Sequence, residues 1–187
     1  MPEDSDIIKR VLNGDVDSIA PGDHLIAVKT SDRDADPQRG DLVLFTNPNN
    51  RREFWIKRVI ALAGDTVAVR DGNLYVNGVK LARESSVPGA VSGATGNIFD
   101  EHNNGAKYRI FISPGHPVPD VPEIIVPKYE CFVMSDNRSE VRDSRYFVTV
   151  RRSRLTLKGE GVAGWQGETT IITIPRATTP PHRQRES

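Results

Sequence analysis

The chain has 187 residues, its 25 Lys and Arg balance 25 Asp and Glu, and 37% of it is hydrophobic. That length suits one domain, or one domain with a small insertion, and can bury a core without staples. Zero net charge argues against a nucleic-acid partner, which a basic excess would signal, and the lone Cys131 excludes an internal disulfide.

The opening Met1-Pro2-Glu3-Asp4-Ser5-Asp6 is acidic where a signal peptide is positive. No run reaches the roughly 20 apolar residues of a membrane span. The sequence therefore reads as soluble, and membrane association would require a segment upstream of Met1. Residues 6–13 are expected to form a short helix, with Ile7, Ile8, Val11 and Leu12 on one side. Strands follow at His24 to Lys29, Leu42 to Thr46 and Phe54 to Leu62. Between Asp65 and Leu81, Asp71-Gly72 and Asn77-Gly78 lie between alternating apolar residues and predict two successive hairpins.

Ser85 to Asn104 is rich in Gly, Ser, Asn and Ala and reads as a long loop. Strands resume at Lys107 to Ile112, Ile124 to Val126 and Tyr129 to Met134, and four prolines, Pro114 to Pro122, exclude regular structure between the first two. Cys131, entering the last of these, is expected to be a buried, inert thiol. Tyr146 to Arg151, Arg154 to Leu157 and Thr169 to Ile174 complete an all-β, antiparallel architecture. Arg151, Arg152, Arg154 and Lys158 form a basic cluster, read as a solvated face. The β domain is expected to span residues 1–175, and the basic, Pro/Thr-rich residues 176–187 are expected to be a disordered tail.

Two stretches carry chemistry. Trp55-Ile56-Lys57-Arg58-Val59-Ile60-Ala61-Leu62-Ala63-Gly64-Asp65 places a lysine inside an apolar strand. Phe132-Val133-Met134-Ser135-Asp136-Asn137-Arg138-Ser139-Glu140-Val141-Arg142-Asp143-Ser144-Arg145 ends an apolar run in a dense polar set. Together they resemble the type I signal peptidases, membrane-bound serine endopeptidases with a Ser–Lys dyad, whose signatures read K-R-V-I-G-L-P-G-D and G-D-N-R-x-x-S-x-D-S-R. Gly40-Asp41-Leu42-Val43-Leu44-Phe45 and Gly72-Asn73-Leu74-Tyr75-Val76-Asn77-Gly78 add two further family signatures in the right order.

The resemblance implies a core of two antiparallel sheets with a smaller β insertion, here about residues 81–127. It implies that Lys57 is the general base, a role that requires burial, because a free lysine titrates at about 10.4. It also implies structural ion pairs of Arg58 with Asp136 and of Asp143 with Arg145, and a partner that is an extended peptide or signal-peptide segment bound by strand addition. In the family the enzyme is membrane-bound and faces the exported side.

The departures fall on the chemistry. In the family the nucleophilic Ser stands eight residues before a Gly-Asp that opens a strand. Counting back from Gly22 gives Gly14, which has no side chain. Ser18-Ile19-Ala20-Pro21 mimics the family's S-M-x-P, but using Ser18 deletes four residues before the strand and displaces the hydroxyl by several ångströms. The Ser that orients the lysine amine is replaced by Val141, the Gly that opens the last signature by Ser135, and G-L-P by Ala61-Leu62-Ala63. Leu12 stands where some members support the oxyanion with a Ser.

The expectation is a catalytically degenerate, peptide-binding or assembly module, with an active peptidase using Ser18 and Lys57 as the alternative. Lys57 is expected beside the strand that opens at Gly22, its amine close to Val141. A self-cleaving repressor-like domain would need a DNA-binding helical region, and no helix-turn-helix pattern is present. His24, His102, His116 and His182 lack metal-site spacing, and no cofactor is implied.

Overall fold

The structure, a computed structural model, describes residues 24–29, 37–46, 54–91, 94–140, 142–159 and 169–173. The short N-terminal helix expected at 6–13 lies outside these residues, as does the tail. Among the described residues the chain is mostly strand, and no helix is long and apolar enough to cross a membrane.

The strands are β1 (His24–Lys29), β2 (Leu42–Thr46), β3 (Phe54–Leu62), β4 (Thr66–Arg70), β5 (Asn73–Val76), β6 (Val79–Lys80), β7 (Ala82–Val91), β8 (Ala94–Asn103), β9 (Ala106–Ile112), β10 (Val121–Ile125), β11 (Glu130–Met134), β12 (Val150–Arg151), β13 (Leu155–Gly159) and β14 (Thr169–Thr173). They make a seven-stranded sheet in the order β12-β11-β3-β2-β13-β1-β14, a four-stranded sheet β10-β4-β5-β6, and a three-stranded sheet β7-β8-β9. Every strand pairing is antiparallel.

The two hairpin signals behave as local chemistry dictates. Asp71 and Gly72 have φ of 51° and 70°, Asn77 and Gly78 have 52° and 74°, and these left-handed pairs close β4 on β5 and β5 on β6. Two positive φ values in succession match the twist of the flanking strands, which is why Asp-Gly and Asn-Gly are selected there.

The large sheet is covered on both faces. Ile60, Phe132 and Met134 pack on one side with Val67, Val69, Leu74, Val76, Tyr108 and Ile110 of the other two sheets. Val43, Phe45, Val59, Cys131, Val133 and Val150 form the core of the opposite face, with Trp55 and Phe147 against them. The Cys131 thiol is fully enclosed, and burial first, then the Glu130 charge, pushes it up to about 12, so it is unreactive.

Three sequence expectations fail. Ser85 to Asn104 is not a loop, because β7 and β8 pair along it and β8 continues onto β9 through Asn104-Gly105, another turn with both φ values positive. Backbone hydrogen bonds hold that hairpin without the apolar alternation that reveals a strand in sequence. Regular structure does occur among the prolines, since β10 starts at Val121 and includes Pro122. Proline is tolerated there because β10 is an edge strand whose register shifts between Val121 and Ile124.

Finally, Tyr146 to Arg151 is not one strand. Ser144–Phe147 is a helical turn, α1, because the Asp143 side chain accepts from Arg145 N at its start. Val148 then takes φ 75° and ψ −71°, and Thr149 N donates to Phe147 O at 3.2 Å. This is a γ-turn, rare for a β-branched residue, and it redirects the chain into β12.

Candidate active site

Strand alternation separates the two adjacent cations of β3. Trp55 and Val59 face the core that contains Phe45 and Val133, so Lys57 does too. Arg58 turns to the other face, where its guanidinium lies 4.6 Å from the centre of the Tyr108 ring. The antiparallel partner β11 sets Met134 opposite Arg58, so the next residue, Ser135, falls opposite Lys57. The Lys57 amine donates to Ser135 Oγ at 2.7 Å in a buried hydrogen bond.

Lys57 is 9% exposed and its amine lies 5.9 Å from the Trp55 ring centre. Trp55 stacks on Phe147 at 5.8 Å, and both meet Phe45 edge-on. An ammonium group in so apolar a setting loses hydration, and this desolvation lowers the lysine pKa, against the opposing pull of the Glu140 and Asp143 charges. Desolvation thus shifts this amine toward its neutral form, the form a general base requires.

A polar frame holds the segment that carries Ser135. Asp143, fully buried, accepts from Ser135 N at 2.9 Å and from Arg145 Nε and Nη2 at 2.9 and 2.6 Å. Ser144 Oγ accepts from Val133 N at 2.9 Å, and Arg145 Nη1 donates to Arg138 O at 2.6 Å. Across the sheet, Arg58 Nε and Nη2 donate to the two Asp136 oxygens at 2.7 and 2.6 Å, and Nη1 donates to Gly40 O at 2.7 Å. Gly40 itself sits at φ 92°, where an added Cβ would lie 2.4 Å from Ala106 Cβ.

Arg138 is the largest fully buried side chain among the described residues. It donates to Glu101 at 2.5 and 3.2 Å and to Ser135 O at 3.1 Å. Glu101 also accepts from Arg83 Nε at 2.9 Å and from Tyr108 OH at 3.1 Å. Burial alone would raise the Glu101 pKa, but Arg138 and Arg83 more than offset it and hold the carboxyl below its usual range. Thus a strand of the three-stranded sheet clamps the same turn that presents Ser135. A parallel bridge reinforces the clamp: Phe111 N donates to Asp136 O at 2.9 Å, and Arg138 N donates to Phe111 O at 2.8 Å.

Of the residues singled out from sequence, Lys57, Arg58, Asp136, Asp143 and Arg145 all converge on this frame. Gly14, Ser18, Leu12 and Val141 lie outside the described residues. Lys57 is not beside the strand that opens at Gly22: β2 and β13 stand between β3 and β1. β1 instead pairs with β13 and β14. Glu101, Arg83 and Tyr108 were missed, and Ser135 stood out only as a replacement for the family's Gly. The parity of Ser135 with Val133 was visible in sequence, but its position opposite Lys57 depends on the β3–β11 register.

The family described as signal peptidase, peptidase S26, matches residues 14–163. The chain belongs to the S26 signal peptidase family. Signal peptidase I of Pseudomonas aeruginosa is 36% identical over 117 residues, 60% of this chain and 40% of that protein. Signal peptidase I V of Bacillus subtilis is 32% identical over 135 residues, 72% of this chain and 71% of its own length. A crystal structure of a signal peptidase I from Enterococcus faecalis superposes with a TM-score of 0.42 at 28% identity, over 66% of this chain and 96% of that one. The chain spans about half or less of the length of the first curated signal peptidase relatives, 40% of the Pseudomonas protein and 51% of a Synechocystis one.

Proposed function

We propose that this S26 protein binds an extended, signal-peptide-like segment without cleaving it through the family's Ser–Lys dyad. The observation that carries this reading is Gly14, which stands eight residues before Gly22, where the nucleophile's hydroxyl would be. A dyad acts only when hydroxyl and amine lie within hydrogen-bond reach, and glycine offers no atom to attack with. Binding by backbone pairing along a strand needs no nucleophile, so it outlasts the loss of cleavage.

A second reading is an active peptidase that uses Ser18 with Lys57 as base. It is favoured by the state of Lys57, whose desolvation and anchoring to Ser135 are chemically useful and of no evident value to a binder. A fluorescent peptide with Ala at the two specificity positions separates them. The first reading expects saturable binding by anisotropy and intact peptide by mass spectrometry after prolonged incubation. Turnover that disappears in both Ser18→Ala and Lys57→Ala would establish the second reading instead.

A further inference from the structure

We propose that Ser135 is the positioning residue for the Lys57 amine, so that the base half of the dyad is complete without a hydroxyl at residue 141. The proposal rests on the reading that Gly14 occupies the nucleophile's place, and it says what remains in the site: a prepared base with nothing to deprotonate.

The geometry is specific. Ser135 Oγ lies 2.7 Å from Lys57 Nζ, and neither side chain is solvated, at 5% and 9% exposure. No carboxylate bonds to this amine among the described residues, so the hydroxyl is its resolved hydrogen-bond partner there. An amine that donates one N–H to Oγ has its lone pair directed away from Ser135, free to take a proton from another group. The hydroxyl is itself fixed, because the Ser135 backbone is tied at both ends: its N–H donates to Asp143 at 2.9 Å and its carbonyl accepts from Arg138 at 3.1 Å. Asp143 and Arg138 are both fully buried and are held by Arg145 and Glu101 respectively. Two ion pairs therefore aim one hydroxyl at one amine. The frame fixes the backbone, and the serine at this position supplies the hydroxyl that the frame then holds 2.7 Å from the amine.

The proton transfer this prepares is simple. With a serine at residue 14, the amine would take the hydroxyl proton as the oxygen attacks a peptide carbonyl. The resulting ammonium would then return that proton to the leaving amine.

Two measurements test the proposal. In the first, the wild-type Lys57 titration is followed by NMR of a selectively labelled lysine and compared with Ser135→Ala, Ser135→Thr and Val141→Ser. Loss of the acceptor in Ser135→Ala removes support for the ammonium form, so the midpoint should fall by at least half a unit, and Ser135→Thr should restore it. An unmoved midpoint in Ser135→Ala, or a larger movement in Val141→Ser, would overturn the proposal.

In the second, cleavage of the same peptide is measured for Gly14→Ser alone and combined with Ser135→Ala or Ser135→Thr. Gly14→Ser alone should show turnover. Adding Ser135→Ala should lower kcat at least 30-fold with little change in KM and shift the acid limb of the pH profile downward. Adding Ser135→Thr should keep kcat within tenfold. Equal turnover with and without the Ser135 hydroxyl would overturn the positioning role. A folded but silent Gly14→Ser would overturn the assignment of Gly14, and the titration would then decide Ser135 independently.

Discussion

Arg138 and Lys57 are both buried cations bonded to Ser135, one through its carbonyl and the other through its hydroxyl, and the fold treats them in opposite ways. Arg138 meets the Glu101 carboxylate with two hydrogen bonds, and despite desolvation the Glu101 charge holds its pKa above the ordinary value. Lys57 meets a neutral hydroxyl and an indole face, and desolvation pushes its pKa down. A buried charge that is fully paired stays a charge and fixes geometry. A buried amine whose hydrogen bond goes to a neutral hydroxyl is driven toward its neutral form, which is the form that does chemistry. The first residue holds the site in shape and the second is shaped by it.

Breaking the paired cation should have the largest effect. Glu101→Gln leaves the Arg138 charge uncompensated inside the protein, and a loss of ~3–5 kcal/mol is expected, the usual cost of breaking a buried ion pair from one side. Urea denaturation at neutral pH measures it, and a loss below ~1 kcal/mol would show that the pair is dispensable. The wild-type pair also makes an acid prediction. The Glu101 pKa is depressed in the folded state, so its contribution is complete above the unfolded carboxyl value and disappears as pH falls through the folded one.

Removing the hydroxyl-bonded cation should do the reverse. Lys57→Met replaces a desolvated amine by an apolar side chain of similar reach, and the expected change at neutral pH is a gain of about 1–2 kcal/mol. Because the Lys57 pKa is lowered on folding, the unfolded chain binds more protons between the folded value and about 10.4. Wild-type stability therefore rises with pH across that window relative to Lys57→Met, and the advantage of the mutant narrows. Denaturation curves for both proteins from neutral pH to about 10 show whether the gap closes; a constant gap would mean that Lys57 is not desolvated.

The smallest effect is expected at an exposed pair. Arg70 and Glu123 join two strands at 3.3 Å, but their side chains are 59% and 48% exposed. Glu123→Gln should cost less than ~0.5 kcal/mol and vanish in moderate salt, which sets the scale against which the two buried sites are judged.

Features governed by neighbouring residues were legible in the sequence. Asp71-Gly72 and Asn77-Gly78 closed their hairpins because the turn type depends on the φ values those residues tolerate. The strands at 24–29, 42–46 and 54–62 followed from apolar periodicity. The motifs around Lys57 and Asp136 pointed to the S26 family before any coordinates did. Wherever a pairing lacked an apolar pattern, as in β7 and β8, or a side chain captured the backbone, as Asp143 does at α1, the reading failed.

The site itself was only half legible, for a physical reason. Sequence places Lys57 in an apolar strand, but its partner is set by how β11 docks on β3, including the register shift between Phe132 and Val133. In that shift Ile60 is the extra residue, its carbonyl capped by Asn103 Nδ2 at 2.9 Å. A slip of one residue would turn Ser135 to the opposite face. Glu101 is likewise 37 residues from Arg138 and reaches it only through the pairing of β8 with β9 and the bridge from Phe111 to Asn137. Local chemistry therefore determined which residues are strands, turns and candidate bases. Register and sheet docking, summed over many weak long-range contacts, decided which hydroxyl meets the lysine and which carboxylate meets the arginine.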